Sequence, residues 1–332
     1  MAKERPKLDE SKVVEYKDKI GEIKKEISKM VVGQEAVIDR LFVGLLSNGH
    51  VLIEGVPGVA KTLLIRTLSK TVGSKFSRVQ FTVDLLPTDI TGITSYNAET
   101  KEFFVVKGPV FANFLLADEI NRAPPKTQSA MLEVMAERQC TIGKETFKVP
   151  NPFFVLATQN PIETAGTYNL PEAQIDRFLL KVFMPYPKME DEKAILDQNI
   201  NIHKFEDFDI KTVIQADEII TMQEDVKKIY LNEKIEDYIV KIIDATRSPS
   251  NYKIKLGEYI EWGCSPRASI GLFIASKAAA LINGRTYVTP NDVKEVALPV
   301  MRHRLIPNYE GMAEGIKTDD IIKEILKKIP VS

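Results

Sequence analysis

The chain has 332 residues, 44% of them hydrophobic and 27% charged, which suffices for two domains with sizeable cores. Its net charge is −1, from 45 basic and 46 acidic residues, and this balance excludes a global basic field of the kind that holds nucleic acid. The sequence has no signal-peptide core, no apolar run of about 18 residues and no cysteine spacing for a disulfide framework or metal site, so we expect a cytoplasmic protein without direct membrane insertion.

The first predicted element is an amphipathic helix within residues 1–30. Its apolar residues recur at intervals of three and four, which places them on one helix face: Val13, Tyr16, Ile20, Ile23, Ile27 and Met30. This face either forms a coiled coil with a partner or packs on the chain's own next domain. The stripe is shorter than three heptads, which favours packing within the chain.

The next segment has the order strand, small-residue loop, helix. The apolar run Val51–Ile53 leads into a loop that ends in a lysine and a hydroxyl: Gly55, Val56, Pro57, Gly58, Val59, Ala60, Lys61, Thr62 and Leu63. Small residues let backbone N–H groups surround a triphosphate, the lysine reaches the β and γ phosphates, and the hydroxyl binds magnesium. The following helix points the positive end of its dipole at the same phosphates. This arrangement predicts a phosphate-binding loop.

One loop position departs from the general pattern GxxxxGK[ST], because the second glycine is Ala60. Alanine lacks glycine's freedom at positive φ, so we expect a right-handed backbone conformation at this residue. The alternative interpretation of the segment is an ordinary strand–helix turn with a chance lysine.

Apolar strands alternate with helical stretches from Val32 to about Pro187, which indicates an α/β fold whose parallel sheet is covered on both faces. The predicted strands are 51–53, 78–83, 114–117, 153–158 and 179–183. Two predicted hairpins interrupt this part, pairing 94–97 with 103–107 and 138–142 with 146–149.

Helical periodicity dominates after residue 188, in 190–203, 212–229, 232–246, 266–283 and 290–302. We therefore place a boundary near Pro185–Pro187 and predict three units: an N-terminal helix (1–30), an α/β core (31–187) and an all-helical domain (188–332). Trp262 and the aromatic residues near it are expected in the core of the helical domain.

The third predicted strand ends in two acids, Asp118 and Glu119. Asp118 is suited to hold magnesium, because hard cations take oxygen ligands. Glu119 is suited to orient an attacking water, because phosphoryl transfer depends on positioning and charge stabilisation. The alternative is a strand that simply ends in solvated acids.

Three further polar residues are candidates for the same chemistry. Asn160, after the fourth predicted strand, could hydrogen-bond the water or the γ-phosphate. Arg177 precedes the fifth strand and could act on a neighbouring subunit; the alternative is a helix-end arginine paired with Asp176 or Glu172. Arg267 lies in the first turn of a helix that begins after Ser265, where a cation opposes the helix dipole and an anion would relieve the conflict.

Taken in order, these segments resemble the AAA+ ATPases, and among them the MoxR family. The motifs that carry the resemblance are Val31-Val-Gly-Gln-Glu-Ala, Glu54-Gly-Val-Pro-Gly-Val-Ala-Lys-Thr62, Ala117-Asp-Glu-Ile-Asn-Arg-Ala-Pro-Pro-Lys-Thr-Gln128, Ala157-Thr-Gln-Asn-Pro161, Gly166-Thr-Tyr, Leu170-Pro-Glu-Ala-Gln-Ile-Asp-Arg-Phe178 and Ser265-Pro-Arg-Ala. The resemblance spans about residues 28–330, and alanine is the family's usual residue at Ala60.

The resemblance implies a P-loop NTPase (AAA+) domain with three αβα layers, followed by an all-α lid domain. It implies these roles: Walker A for Lys61 and Thr62, Walker B for Asp118 and Glu119, sensor 1 for Asn160, arginine finger for Arg177, sensor 2 on the lid for Arg267, and a position near the adenine for Val32 and Gly33. Arg122 is a further charged residue beside Walker B that could face a neighbour. The hairpins match inserts that face a ring pore, which makes Tyr96, Phe103 and Phe104 candidates for substrate contact.

The resemblance thus implies an ATP-dependent, chaperone-like remodelling ATPase that uses ATP and Mg²⁺. It implies a homo-hexamer that acts on client protein complexes, with von Willebrand A domain proteins as partners and no nucleic acid, and with ATP between the two domains and against the next subunit. Two alternatives stay open: a nucleic-acid-stimulated ring ATPase, and a nucleotide-dependent binding switch with little turnover.

Overall fold

The computed structural model describes residues 8–160, 166–198 and 205–331. Residues 1–7, Pro161 and the end of the predicted helix 190–203 lie outside these ranges. The strands are β1 (Val51–Gly55), β2 (Phe76–Gln80), β3 (Gly92–Asn97), β4 (Glu102–Lys107), β5 (Phe114–Asp118), β6 (Gln139–Ile142), β7 (Glu145–Lys148), β8 (Phe154–Gln159), β9 (Leu180–Met184), β10 (Ile260–Trp262) and β11 (Ile306–Pro307).

The helices before residue 188 are α1 (Glu10–Ser28), α2 (Glu35–Leu46), α3 (Lys61–Thr71), α4 (Pro87–Thr91), α5 (Pro125–Glu137) and α6 (Glu172–Ile175). Those after it are α7 (Met189–Gln198), α8 (Ala216–Lys228), α9 (Glu233–Arg247), α10 (Pro266–Ile282), α11 (Pro290–Met301), α12 (Tyr309–Ala313) and α13 (Thr318–Lys328). Within the described parts of the chain, none of the helices is long and apolar enough to cross a membrane.

Five strands form one parallel sheet in the order β2-β5-β8-β1-β9, so the predicted sheet is confirmed. Successive side chains of a strand point to opposite faces. Accordingly, Val51 and Ile53 join the apolar core under α1, α2 and α3, whereas Leu52 joins the core under α4 and α5. Both faces are thus covered by helices, as predicted for three αβα layers.

The second strand is the one whose bounds differ most from the prediction, because it ends at Gln80 rather than continuing to residue 83. A turn follows it, in which the N–H of Leu85 donates to the carbonyl of Thr82. Both predicted hairpins are present as antiparallel pairs, β3 with β4 and β6 with β7.

The region after residue 188 is helical, as predicted, apart from a short antiparallel pair that β10 forms with β11. The prediction that Trp262 lies in the core is wrong, since this residue is 66% exposed. The pairing register shifts between Ile260 and Trp262. Such a shift takes residues two positions apart off a common face, and only Ile260 packs against the core.

Helix α1 packs within the chain, and its apolar stripe is buried at Val13, Tyr16, Ile20, Ile23 and Ile27. One continuous apolar core runs from α1 past one face of the sheet into the helices after residue 188. The division of the chain into units at 1–30, 31–187 and 188–332 therefore stays a prediction.

A buried carboxylate joins α1 to α8. Asp225 accepts a hydrogen bond from the Tyr16 hydroxyl at 2.7 Å and pairs with Lys12 at 2.6 Å and Lys228 at 2.7 Å. Burial alone would raise the pKa of Asp225, but the hydrogen bonds from these three groups hold it below its usual value. Burial and the bond to Asp225 raise the pKa of Tyr16 to about 12.

We predict that Asp225→Ala lowers the free energy of unfolding by about 2 kcal/mol at pH 7, mainly because the buried Tyr16 hydroxyl loses its partner. Because the folded pKa lies below the unfolded one, the contribution of Asp225 is full above about pH 4 and is lost as the pH falls through the folded value. Urea titrations of wild type and Asp225→Ala at pH 7 and well below about pH 4 measure this change in the free energy of unfolding. The control is Glu224→Ala on the same helix, where an exposed acid pairs with the exposed Lys227. This substitution should change stability by less than about 0.5 kcal/mol. An equal loss of stability in both variants would contradict the role of Asp225.

Candidate functional site

The loop after β1 turns sharply into α3 by means of two left-handed residues. Gly58 has φ +82° and Ala60 has φ +62°, and Ala60 is the residue immediately before the first turn of α3. The expectation of a right-handed conformation at Ala60 is therefore wrong. The carbonyl of Ala60 still accepts the first helical bond, from Leu64 N–H at 2.9 Å, so the turn keeps the helix start. Left-handed residues in such a turn are typical of backbone loops that bind anions.

Lys61 lies between this loop and the acids at the end of β5. Its ammonium group donates to the carbonyl of Gly55 at 2.5 Å. Burial lowers the pKa of Lys61, while the charges of Asp118 and Glu119 raise it in the opposite direction. A half-buried cation at a helix N-terminus, beside an open concave loop, fits an anionic phosphate. The structure thus brings together the lysine and both acids of the predicted site.

Thr158, on β8, connects the two acids through its buried hydroxyl. The hydroxyl donates to Asp118 Oδ1 at 2.6 Å and accepts the backbone N–H of Glu119 at 2.8 Å. The other oxygen of Asp118 pairs with Arg78 on β2 at 2.7 Å. Thr62 is the second residue of α3; its hydroxyl and the Asp118 carboxylate are the type of oxygen ligand that Mg²⁺ prefers, so both remain candidate magnesium ligands.

The Glu119 carboxylate is held by two neighbours in this structure. Its Oε2 accepts from the Gln80 amide at 3.0 Å and pairs with Arg122 at 2.9 Å. Glu119 itself has φ +57°, which turns its side chain away from the strand direction. Arg122 thus contacts the acid of its own chain, although the sequence suggested that it could face a neighbour.

Sequence reasoning missed Arg78 and Gln80 as members of the site. They are two positions apart on β2 and so lie on one face of the sheet, next to the end of β5. Their polar character at the end of a strand was the available signal. It could be used only once β2 was known to be the neighbour of β5, and the sequence does not specify strand order.

Asn160 and the predicted adenine segment lie at the same edge of the sheet as the loop. Asn160 directly follows β8, is buried, and stands between the ends of β5 and β1. A cavity of about 210 Å³ adjoins the loop and is lined mostly by apolar residues, among them Val32, Val59, Leu63 and Ile195. Its size and lining suit a planar apolar base.

Gly33, the other predicted adenine residue, has φ +73°, and a Cβ at this position would collide with the carboxylate of Asp191 on α7. Glycine is therefore required for α7 to approach the adenine segment. Gly33 lines a neighbouring cavity next to Gln34, so of the two predicted adenine residues only Val32 lines the base-sized cavity.

The two remaining candidates, Arg177 and Arg267, lie at the opposite edge of the sheet. Both line a cavity of about 320 Å³ together with Gly49, which precedes β1, and Arg177 precedes β9, whose first residue pairs with Val51. A five-residue strand is about 13 Å long, so β1 separates both arginines from the loop of their own chain. Arg267 therefore lies away from the loop of its own chain, whereas a sensor 2 role at an ATP bound between the two domains of one chain would place it near that loop.

Their contacts differ from those considered in the sequence. The exposed Arg177 donates to the carbonyl of Leu132 at 2.8 Å rather than pairing with an acid. Arg267 pairs with Asp176 at 3.4 Å, which offsets the conflict with the dipole of α10. Ser265 occupies the expected N-cap position, but it donates to Asp176 instead of capping the helix.

Comparisons with known proteins agree with this geometry. The ATPase family associated with various cellular activities (AAA) matches residues 50–180, and the AAA lid domain matches residues 256–325. The chain is 46% identical to Chaperone MoxR1 of Mycobacterium tuberculosis over 92% of this chain and 80% of that protein. It is 32% identical to protein MoxR of Methylorubrum extorquens over 96% of both chains.

A crystal structure of a candidate ATPase from Cytophaga hutchinsonii is also similar. It superposes with a TM-score of 0.90 at 46% identity, over 97% of this chain and 98% of that one. At this identity and coverage the likeness extends beyond the sheet to the helical region after residue 188.

The left-handed Ala60 generates a prediction. Ala60→Gly removes the clash of the alanine Cβ in this conformation, which costs about 1–2 kcal/mol, and loses about 0.5–1 kcal/mol through the greater freedom of unfolded glycine. We expect the free energy of unfolding to rise by about 0.5–1 kcal/mol in urea titrations. The control is Ala130→Gly, in the middle of right-handed α5, which should lower it by about 1 kcal/mol. Destabilisation by both substitutions would refute a strained Ala60.

Proposed function

Because the chain belongs to the MoxR family of AAA+ ATPases, we propose that it hydrolyses ATP with Mg²⁺ to remodel client proteins in a chaperone-like role. We further propose that it works as a homo-hexameric ring and that hydrolysis takes place where subunits meet. The proposal extends the family assignment to the cofactor, the assembly and the action on clients.

One observation supports it above the others: the candidate residues divide between opposite edges of one sheet. Lys61, Asp118 and Glu119 stand at the carboxyl edge, while Arg177 and Arg267 stand at the amino edge. The cations Arg78 and Arg122 at the carboxyl edge are engaged by the two acids. A ring of identical chains packed head to tail joins the two edges, so that arginines of one chain complete the phosphate site of the next.

The residues at the carboxyl edge have distinct tasks in this proposal. The loop and Lys61 bind the triphosphate, and Thr62 and Asp118 would hold Mg²⁺, which neutralises charge on the β and γ phosphates. Glu119 orients the attacking water. Because its carboxylate is held by Gln80 and Arg122, it becomes available to water only when those bonds rearrange, which makes hydrolysis dependent on the arrangement of β2.

Client contact is assigned to the first hairpin, β3–β4. Its aromatic side chains are exposed although they are large, and the Tyr96 and Phe103 rings contact each other in a tilted arrangement, with centroids 5.2 Å apart. Phe104 is exposed on the same strand. Exposed apolar groups on a two-stranded ribbon mark an interaction site. We propose that it grips client protein complexes, with von Willebrand A domain proteins as the expected partners.

The role of Glu119 is tested by Glu119→Gln, which keeps the side-chain shape and removes the charge. We expect ATP binding within about twofold of wild type and a loss of phosphate release of about 100-fold or more, because the oriented, polarised water is lost. Calorimetry measures binding and a phosphate assay measures turnover. The control is Glu145→Gln, an exposed acid on β7, which should retain full turnover. Slow release by wild type and Glu119→Gln alike would favour a binding switch instead.

The role of Arg177 is tested by mixing subunits. Arg177→Ala and Lys61→Ala should each lower turnover by at least about 1000-fold, one through loss of transition-state stabilisation and the other through loss of phosphate binding. If the arginine acts on the next chain, a mixture of the two variants restores activity, because some interfaces combine an intact loop with an intact arginine. A mixture that stays inactive at every ratio would exclude action between subunits.

A further inference from the structure

A cavity larger than the one at the phosphate loop lies beside the helices after residue 188. It has a volume of about 720 Å³ and lies between the end of α2 and helices α8, α9 and α10. Its walls are mostly apolar: Leu46, Val226, Ile239, Val240, Ile270 and Phe273. We call this cavity the lid groove.

The groove exists because one stripe of α10 has no covering element. Other helices bury α10 over most of its circumference, but two residues that line the groove, Ile270 on α10 and Val240 on α9, are each 58% exposed. Leaving two branched aliphatic side chains of this size in water forgoes the favourable free energy of burying their apolar surface. An exposed concave apolar surface of this kind marks a docking site.

The lid groove is continuous with the cavity of the two arginines. Ser47, Asn48, Ile270 and Ile274 line both cavities, so groove and arginines form one surface. Under the proposed function, Arg177 and Arg267 face the phosphate site of the next chain. Whatever surrounds that phosphate site therefore lies next to the groove.

An apolar helix face is present beside the phosphate site. Helix α7 turns Ile195 towards the base-sized cavity, and on its outer side Met189 is 73% exposed and Leu196 is 70% exposed. These two residues are seven positions apart and so share one face of the helix. Helix α7 thus presents two apolar anchors outward while its other side lines the nucleotide site.

The charges of the two surfaces are complementary. Helix α7 has four acids, Glu190, Asp191, Glu192 and Asp197, and one base, Lys193, for a net charge of −3. The lid groove is lined by Lys227 and Lys277 and by one acid, Glu236. Lys277 is buried and donates to the carbonyl of Lys227, so the accessible cation is Lys227, whose exposed pair with Glu224 contributes little in water. Opposite potentials of this kind steer association and fix its orientation.

We propose that the lid groove binds the outer face of α7 from a second copy of this chain, with Met189 and Leu196 seated against Val240 and Ile270. This inference rests on the proposed ring and adds its second contact. A helix that lines the nucleotide cavity of one chain then contacts the lid of the next. Nucleotide binding in one chain can thereby change the position of Arg177 and Arg267 in the neighbouring chain.

Cross-linking between two single-cysteine variants tests the contact. Chains carrying Leu196→Cys are mixed with chains carrying Ile270→Cys, with ATP, Mg²⁺ and a short bismaleimide; both native cysteines are buried. The proposal expects a covalent dimer in the mixture and at most a trace in either variant alone. Replacing Ile270→Cys by Val14→Cys, an exposed position on α1, should give no dimer. A mixture that assembles without forming the dimer would overturn the proposal.

A charge placed in the groove provides the second measurement. Ile270→Asp should bind ATP normally, as a folded monomer, while losing nucleotide-dependent assembly and at least tenfold of its turnover; Val14→Asp should match wild type. If Ile270→Asp assembles fully but no longer binds clients, the groove is a client site and the proposal is wrong. If Arg177→Ala and Lys61→Ala restore each other's activity while the covalent dimer between positions 196 and 270 is absent, the proposed ring function is supported and only the groove contact is refuted. Absence of both assembly and rescue would refute the ring function and the groove contact together.

Discussion

The position of β1 between β8 and β9, parallel to both, is the constraint on which the site depends. Carboxyl ends of parallel strands meet at one edge, so the loop after β1 must lie beside Asn160, and β5 adds Asp118 and Glu119 on the far side of β8. The same geometry sends whatever precedes β1 and β9 to the other edge. Arg177 and the lid residues that contact Asp176 are therefore separated from the loop by the length of a strand.

The lid is fixed to that far edge by a buried arginine. Arg304 pairs with Asp176 at 2.6 Å and also donates to the carbonyls of Phe178 and Leu179. Burial lowers the pKa of Arg304, and the Asp176 carboxylate counteracts this shift. A buried, multiply bonded cation is costly to separate from its partner, so the lid and the start of β9 move as one unit. Arg267 and Arg177 are thus attached to a common support.

What the sequence could predict was local. Periodicity located four of five sheet strands within about two residues, a limit typical of boundary predictions, and the order strand, loop, helix was enough to propose Lys61 and Thr62 as phosphate-site residues. Contacts between distant segments were beyond it. Gln80 reaches Glu119 only because β2 is an edge strand next to β5, and Arg267 meets Asp176 only because the lid packs against the amino edge. The prediction for the backbone of Ala60 was wrong for another reason. The intrinsic preference of alanine disfavours the left-handed conformation, and the geometry of the turn overrides that preference.

Helix α1 lies between the base-sized cavity and the helices after residue 188. At its carboxyl end the chain passes directly into Met30 and Val31, which line the base-sized cavity, while its amino half is bound to α8 through Asp225. The apolar stripe of α1 is buried within the chain, so this stripe is not available for the coiled coil that the sequence left open. Because α1 also packs on α3, the helix that begins with Lys61, and on α10, it contacts both the helix that follows the loop and the lid. The loop and the lid are thus connected by a path that does not pass through the sheet.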